Sequence, residues 1–172
     1  MALETSQIIN ANIYLNGTSL LGKASEVDAP EIMQKMSDFK ALGMFGTAEL
    51  TSGIDKMNMR VKWNAYYEDV AVAMLNPYKQ VSLMVRANKE VWQGGEKTAD
   101  VPVIIYATCQ SKGFPTGKFK SQESVDIESN LSVTHCKMEI GGKEVFEVDV
   151  MNNIYKVDGV DILTQYRTNL GI

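Results

Sequence analysis

Apolar and polar residues alternate over several long stretches of the sequence, and this period of two constrains the fold more than any other feature. The clearest stretch runs from Lys56 to Trp63, where every second residue is apolar. Alternate side chains of a strand share one face, so this pattern predicts a half-buried β-strand. Similar alternation around residues 81–87 and 103–109 predicts two more strands. We therefore expect a mainly β chain.

A further alternating stretch changes phase part-way along its length. The apolar residues from Val125 to Val133 have one parity, and those from Cys136 to Ile140 have the other. A one-residue slip moves every following side chain to the opposite face of a sheet. A bulge near Thr134 or His135 would keep both halves in contact with one core.

Three dipeptides mark tight turns between strands: Asn16–Gly17, Gly141–Gly142 and Asp158–Gly159. Each fits the two-residue hairpins in which both central residues take positive φ angles. One helix is predicted between Tyr66 and Asn76, because apolar residues recur there at helical spacing and Pro77 follows. A short helix or an extended arm is expected after residue 161.

Composition narrows the classes of function. The chain has 172 residues, which favours one domain over residues 1–172, and a net charge of −4. A net negative charge makes the binding of nucleic acid through its phosphates unfavourable.

Few residues in the sequence could carry catalytic or metal chemistry. The one histidine, His135, lies inside an alternating strand, and Cys109 and Cys136 have no CxxC partner. No catalytic, metal-binding or cofactor-binding motif is recognised, so an enzyme is the least supported class. The first ten residues do not resemble a secretory signal, and synthesis in the cytoplasm is expected.

Two segments do not fit a minimal β-sandwich. Residues 39–53 contain three glycines and the apolar pair Met44–Phe45, although a solvated loop of that length is normally polar. Either another molecule covers this segment or it folds back as a hairpin onto its own domain. The residues at the end of the chain, Leu170 and Ile172, are apolar as well, which indicates docking.

Short motifs in a fixed order along the chain match one family. Near the start they are Asn12–Gly17, Gly43–Met44 with Gly46, and Met59–Trp63; near the end they are Met138–Val145, Glu147–Asp149, Asp158–Asp161 and Arg167–Ile172. Through their joint occurrence the chain resembles the major tail tube proteins of contractile-tailed bacteriophages and of R-type tailocins.

The resemblance implies a β-sandwich or β-barrel subunit with one flanking helix, whose strands join those of its neighbours in a continuous hexameric barrel. Homo-hexameric rings would stack into the inner tube of a contractile tail. The tube would be a conduit for DNA in a phage, or a membrane-piercing channel in a tailocin. Implied partners are the sheath, baseplate and tail terminator proteins and a tape measure protein in the lumen. DNA would pass without specific binding, in a virion tail or tailocin particle assembled in the bacterial host cytoplasm.

Within that architecture, three surfaces are expected to make the contacts. Apolar anchors between rings would come from a long loop, 39–53, and a C-terminal arm, 159–172. The expected anchors are Phe39, Met44, Phe45, Leu170 and Ile172. The sheath would contact the predicted helix through Glu68 and Asp69, although a solvated helix remains an alternative.

The channel wall is expected on one face of the phase-changing strand. Its candidate residues are Ser124, Asp126, Glu128, Asn130 and Ser132. An acidic lining would repel the phosphates of a translocating genome, whereas a basic lining would bind them. The basic residues Lys56, Arg60 and Lys62 are therefore expected on a subunit interface or on the outside of the tube.

Two other kinds of protein share the expected fold class and remain as alternatives. A tube protein like those of type VI secretion systems would assemble in the same way. A small-ligand-binding β-barrel has the right length, but the chain's aromatic content of 8% and its acidic strand face do not favour it.

Overall fold

The computed structural model describes residues 3–117, 119–121, 125 and 127–172, which form twelve strands and two helices. The prediction of a mainly β chain is confirmed. The strands are β1 (Glu4–Leu15), β2 (Thr18–Ser19), β3 (Ala24–Asp28), β4 (Gln34–Phe39), β5 (Ala48–Ile54), β6 (Met57–Trp63), β7 (Gln80–Gln93), β8 (Glu96–Ser111), β9 (Ile127–Ile140), β10 (Lys143–Asp149), β11 (Ile154–Val157) and β12 (Val160–Asp161). The helices are α1 (Glu68–Leu75) and α2 (Thr164–Leu170).

One long antiparallel sheet organises the subunit, with the strand order β12-β11-β10-β9-β8-β7-β1-β2. The three predicted turns, Asn16–Gly17, Gly141–Gly142 and Asp158–Gly159, connect neighbouring strands, and both residues of each turn have positive φ. A fourth such turn, Gly94–Gly95, joins β7 to β8 and was not predicted. The sheet is open in the single subunit, because its end strands, β2 and β12, do not pair with each other.

Strand β9 links the long sheet to a short one. One edge of β9 pairs with β8; along the other edge, residues 135–140 pair with β10 and residues 127–133 pair with β6, which in turn pairs with β3. Across β8, Thr108 faces His135 but Cys109 faces Val133, which leaves Thr134 as an extra residue. The predicted bulge is therefore confirmed, and the strand can bend there from one sheet into the other.

The core lies between the two sheets and contains the alternating residues that the sequence analysis identified. Met57, Met59, Val61 and Trp63 of β6 are all buried, and their neighbours in sequence point outward. The indole nitrogen of Trp63 donates a hydrogen bond to the buried hydroxyl of Ser129, at 2.9 Å. That bond satisfies both polar groups inside the apolar core.

Helix α1 confirms the predicted helix, shorter by two residues at its start and by one at its end. It buries Val70 and Met74 in the core and ends at Leu75, two residues before Pro77. Among the described residues no helix has the length and apolar character that crossing a membrane requires.

The segment predicted as a long loop is a hairpin, which corrects that expectation. Strands β4 and β5 form a separate two-stranded antiparallel sheet over residues 34–54. The side-chain amide of Gln34 donates to the Tyr155 hydroxyl at 3.1 Å, which ties the base of the hairpin to the long sheet. All of β4 and the middle of β5 are exposed. The alternative was a hairpin that folds back onto its own domain. The segment is a hairpin, but its strands are not buried against the domain.

Candidate assembly surfaces

The tip of the β4–β5 hairpin exposes several large apolar side chains. Phe39 and Met44 are more than 40% exposed, and Phe45 and Leu42 reach 111% and 105% of their reference exposure. Leu42 was not singled out from the sequence, although it lies two residues before Met44 on the same turn. Nothing in the described part of the subunit covers these side chains, so the hairpin presents an apolar tip at the end of an exposed ribbon.

The C-terminal arm folds as helix α2 and is attached mainly through polar contacts. The Arg167 guanidinium donates to the Asp161 carboxylate and to the backbone carbonyl of Asn153, both at 2.7 Å. The hydrogen bond from Arg167, together with one from the backbone N–H of Leu163, lowers the pKa of Asp161 below its ordinary value of 3.8. No residue of α2 is buried.

The apolar side of this arm faces outward. Ile162, Tyr166 and Leu170 are spaced four residues apart, so they form one exposed stripe, and Ile172 is exposed beyond it. Between this stripe and the base of the hairpin lies a cavity of about 510 Å³, which is lined in part by Ile54, Ile162 and Tyr166. The two expected anchor segments therefore lie beside each other.

The structure describes three of the five candidate channel residues. Glu128, Asn130 and Ser132 point away from the core, as their alternation predicted; Ser124 and Asp126 lie outside the described residues. Across β6, Glu128 is directly opposite Lys62 and Asn130 is opposite Arg60. Directly paired residues of neighbouring strands lie on the same face of a sheet.

The acidic residue Glu128 and the basic residues Arg60 and Lys62 were expected on different surfaces, but they lie on the same face of the sheet. Arg60 contacts Glu128 at 3.3 Å and Asp28 of β3 at 2.6 Å, and Lys62 contacts Glu26 at 2.6 Å. The hydrogen bonds that Arg60 donates to Asp28 and Lys62 donates to Glu26 raise the pKa values of Arg60 and Lys62. Arg60 and Lys62 therefore share the face of Glu128, so a luminal position for Glu128 and an interface or outer position for the two basic residues cannot both hold. The sequence does not show this, because it does not show that β6 pairs with β9.

Helix α1 offers a more apolar outer surface than its two acidic residues suggested. Asp69 is already paired with Lys23 at 2.7 Å, which lowers the pKa of that carboxyl. Glu68 is exposed on the first turn. Val72 and Leu75 follow at helical spacing on the same side as Glu68, and both are exposed.

The outer face of the long sheet carries a second polar surface, which the sequence analysis did not single out. Glu147 of β10 contacts His135 of β9 at 3.1 Å and Lys156 of β11 at 2.6 Å. The hydrogen bond from Lys156 lowers the pKa of Glu147 most, and the one from His135 lowers it further. On β9, Lys137 pairs with Glu139 at 2.8 Å. This surface is also of mixed charge, and within the described residues no group of acidic, histidine or cysteine side chains could hold a metal ion.

The chain matches the family model of phage tail tube protein FII over residues 5–171. The chain belongs to that family. The tail tube protein of Escherichia phage P2 is 31% identical over 164 residues, which is 94% of each chain. The major tail tube protein of Serratia phage KSP20 is 22% identical over 152 residues, or 87% of this chain and 86% of the phage protein.

Family membership confirms that this is a structural tail tube protein and not an enzyme. It also favours the tail tube interpretation over a type VI-like tube or a ligand-binding barrel.

The tail tube fold is also found in solved structures of contractile injection systems. A chain of an extracellular contractile injection system, in the PVC sheath-tube complex in the extended state, matches with a TM-score of 0.55 at 6% identity. The match covers 75% of this chain and 87% of that one. A chain of the PVC sheath/tube terminator matches with a TM-score of 0.53 at 9% identity, over 75% and 92% of the two chains. At these identities the likeness shows the fold alone.

Proposed function

We propose that this tail tube protein forms six-membered rings that stack into the inner tube of a contractile tail. The observation that carries the proposal is the β4–β5 hairpin, an ordered ribbon whose apolar tip has no covering surface in its own subunit. Burying a large apolar side chain stabilises an interface by about 1.5–3 kcal/mol. A tip with Leu42, Met44 and Phe45 is therefore a strong anchor for a second copy.

Stacking rings require a heterologous contact, in which one end of a subunit binds the opposite end of the next. The hairpin tip supplies one half of this contact, through Phe39, Met44 and Phe45. The C-terminal arm supplies a second apolar surface with Leu170 and Ile172. Both segments are held by contacts at their bases, so each keeps its direction while its apolar side chains stay available to the next ring.

The outer surface of α1 is the proposed sheath contact. The solved relative of this fold lies in a sheath-tube complex, and α1 exposes an acidic residue, Glu68, beside the apolar pair Val72 and Leu75. A sheath groove with an apolar floor and a basic rim would complement it. Asp69 contributes less charge than was expected, because Lys23 already neutralises it.

We place the channel wall on the Glu128, Asn130 and Ser132 face, now with Arg60 and Lys62 as part of it. On this face the cations Arg60 and Lys62 pair with the carboxylates of Glu26, Asp28 and Glu128. The ammonium of Lys112 reaches the same face and donates to the side chain of Asn58. A wall whose charges are already paired offers few free cations to phosphates, so DNA or a tape measure protein would slide past it without being held.

Negative-stain electron microscopy of the purified protein tests the function directly. The account predicts rings or hollow tubes, whereas a ligand-binding barrel would remain a monomer. Adding the sheath, baseplate and terminator proteins of the same particle would then show the remaining partners of the tube. A particle containing DNA would be a phage tail, and one without DNA a tailocin.

A further inference from the structure

Strand β1 leaves most of its outer edge unpaired. Its inner edge pairs with β7 from Glu4 to Leu15. On the other side β2 pairs only with Tyr14 and Leu15, and the N–H of Leu20 donates to the carbonyl of Ile13. Strand β3 pairs with β6 on one edge, and none of the described strands pairs with its other edge. Free N–H and C=O groups along such edges are templates for an added strand.

These two edges border an open side of the sandwich. A groove of about 520 Å³ runs between them, lined by apolar residues that include Ile9, Ile13, Leu21 and Val27 and by polar residues that include Asn10 and Glu26. Ile9 and Leu21 are 71% and 78% exposed, whereas Ile13 at the same groove is buried in the core. The groove therefore leads from the surface directly to the hydrophobic core.

We propose that the β4–β5 hairpin of a second copy docks in this groove as an added strand along β1. The inference rests on the proposed function, since it names the surface that receives the hairpin when subunits assemble. Main-chain hydrogen bonds to the edge would give affinity, and alternate side chains in the groove would give specificity.

The hairpin has the length, edges and side chains that the groove requires. The groove follows residues 8–13 of β1, and β4 has six residues, so each spans about 20 Å of strand. Neither strand of the hairpin pairs with any other described strand along its outer edge. Met36, Phe39 and Leu50 are exposed along them and can fill an apolar groove.

A bulge in β1 makes the edge selective. Ile8 pairs with Lys89 and Ala11 with Ala87, so three steps on β1 match two on β7. The side chain of Asn10 accepts a hydrogen bond from the N–H of Ala11, at 2.8 Å, within the bulge. An irregular edge resists pairing with an arbitrary flat strand. Only a strand that accommodates the bulge would dock well, which limits uncontrolled edge-to-edge aggregation.

Chemical cross-linking tests the pairing in assembled tubes. The variant carries Ile9→Cys in the groove and Leu50→Cys on the hairpin, and the native thiols do not interfere because Cys109 and Cys136 are both 0% exposed. A short bis-maleimide should produce a ladder of covalent multimers on a denaturing gel. The matched control pairs Ile9→Cys with Val157→Cys, an exposed residue of β11, and should give no ladder.

Hydrogen exchange of the unsubstituted protein gives a second measurement that no substitution can disturb. The amides within residues 8–13 that point to the outer edge of β1 should exchange at least tenfold more slowly in tubes than in unassembled subunits. Tubes with no cross-linked ladder, an equal ladder in the control, or unchanged exchange at residues 8–13 would each overturn the docking while leaving the tube function intact. Failure of the unsubstituted protein to form tubes would instead contradict the proposed function.

Discussion

The guanidinium of Arg60 lies 3.3 Å from the carboxylate of Glu128, across the neighbouring strands β6 and β9. Because of this contact, the outward-facing residues of β6 and those of β9 form one surface of mixed charge. Arg60 also contacts Asp28, so β3, β6 and β9 are linked by one ion-pair network. The proposed channel wall therefore has largely paired charges, whereas the sequence led us to expect small residues that are acidic or neutral.

Accessibility to labelling should locate the channel wall. In tubes of an Asn130→Cys variant, a small maleimide should react, while a maleimide attached to a large polymer should be excluded from the lumen. Glu144→Cys, on the outer face of the long sheet, is the matched variant and should react with both. The reverse pattern would move the channel wall to the long sheet.

Removal of the hairpin anchors should prevent stacking. Met44→Asp combined with Phe45→Asp removes two apolar contacts of about 1.5–3 kcal/mol each, so polymerisation should weaken at least about 100-fold. Both side chains are exposed in the subunit, which should leave its folding intact. Circular dichroism would check the fold and sedimentation the assembly. Tubes of normal length at the usual protein concentration would contradict the role of the tip.

Substitutions on α1 should separate sheath binding from tube formation. Val72→Asp with Leu75→Asp changes the exposed side of the helix while keeping the buried Val70 and Met74. Tubes should form normally but no longer recruit the sheath, as seen by electron microscopy of the two proteins together. This variant also serves as the control for the hairpin variant. Normal sheath assembly around the substituted tubes would exclude α1 as the contact.

Acid should release the C-terminal arm. The pKa of Asp161 is lowered in the fold by Arg167, so the ion pair contributes stability above the ordinary value of 3.8 and loses it as the pH falls through the lowered pKa. The protection factors of the amides in residues 164–170, which correct for the intrinsic exchange rate at each pH, should therefore fall as the pH is lowered from about 6 to below 3.8. Asp161→Asn should reproduce this loss of protection at neutral pH. Unchanged exchange in that variant would show that the ion pair does not hold α2.

The two cysteines should be unreactive in the folded subunit. Burial raises the pKa of Cys109 to about 12 and that of Cys136 to about 11, so neither is a thiolate at neutral pH. A thiol reagent should label neither residue under native conditions and both after denaturation. Rapid native labelling would mean that the core opens at the β8–β9 pairing.

The elements predicted correctly from the sequence are those with local signals. Alternation located β6 and the buried faces of β7, β8 and β9, and a change of phase located the bulge at Thr134. The glycine turns depend on backbone geometry that few other residues tolerate. These local signals also predict correctly the face of β9 on which Glu128 lies.

The errors concern contacts between distant segments. Residues 4–10 of β1 show no alternation because the strand is exposed on both faces, and the β4–β5 hairpin was taken for a loop for the same reason. The sequence also does not show that β6 pairs with β9 or that Lys23 neutralises Asp69, since these partners are 46 or more residues apart. Strand pairing between distant segments depends on the whole fold and on burial, which local periodicity does not report.

A cryo-electron microscopy reconstruction of the assembled protein tests the central claim most directly. We expect a hollow tube of stacked six-membered rings, in which the hairpin tip at Met44 and Phe45 is buried against a neighbouring subunit. A protein that stays monomeric under all assembly conditions, or a tube in which the tip projects freely into solvent, would contradict it.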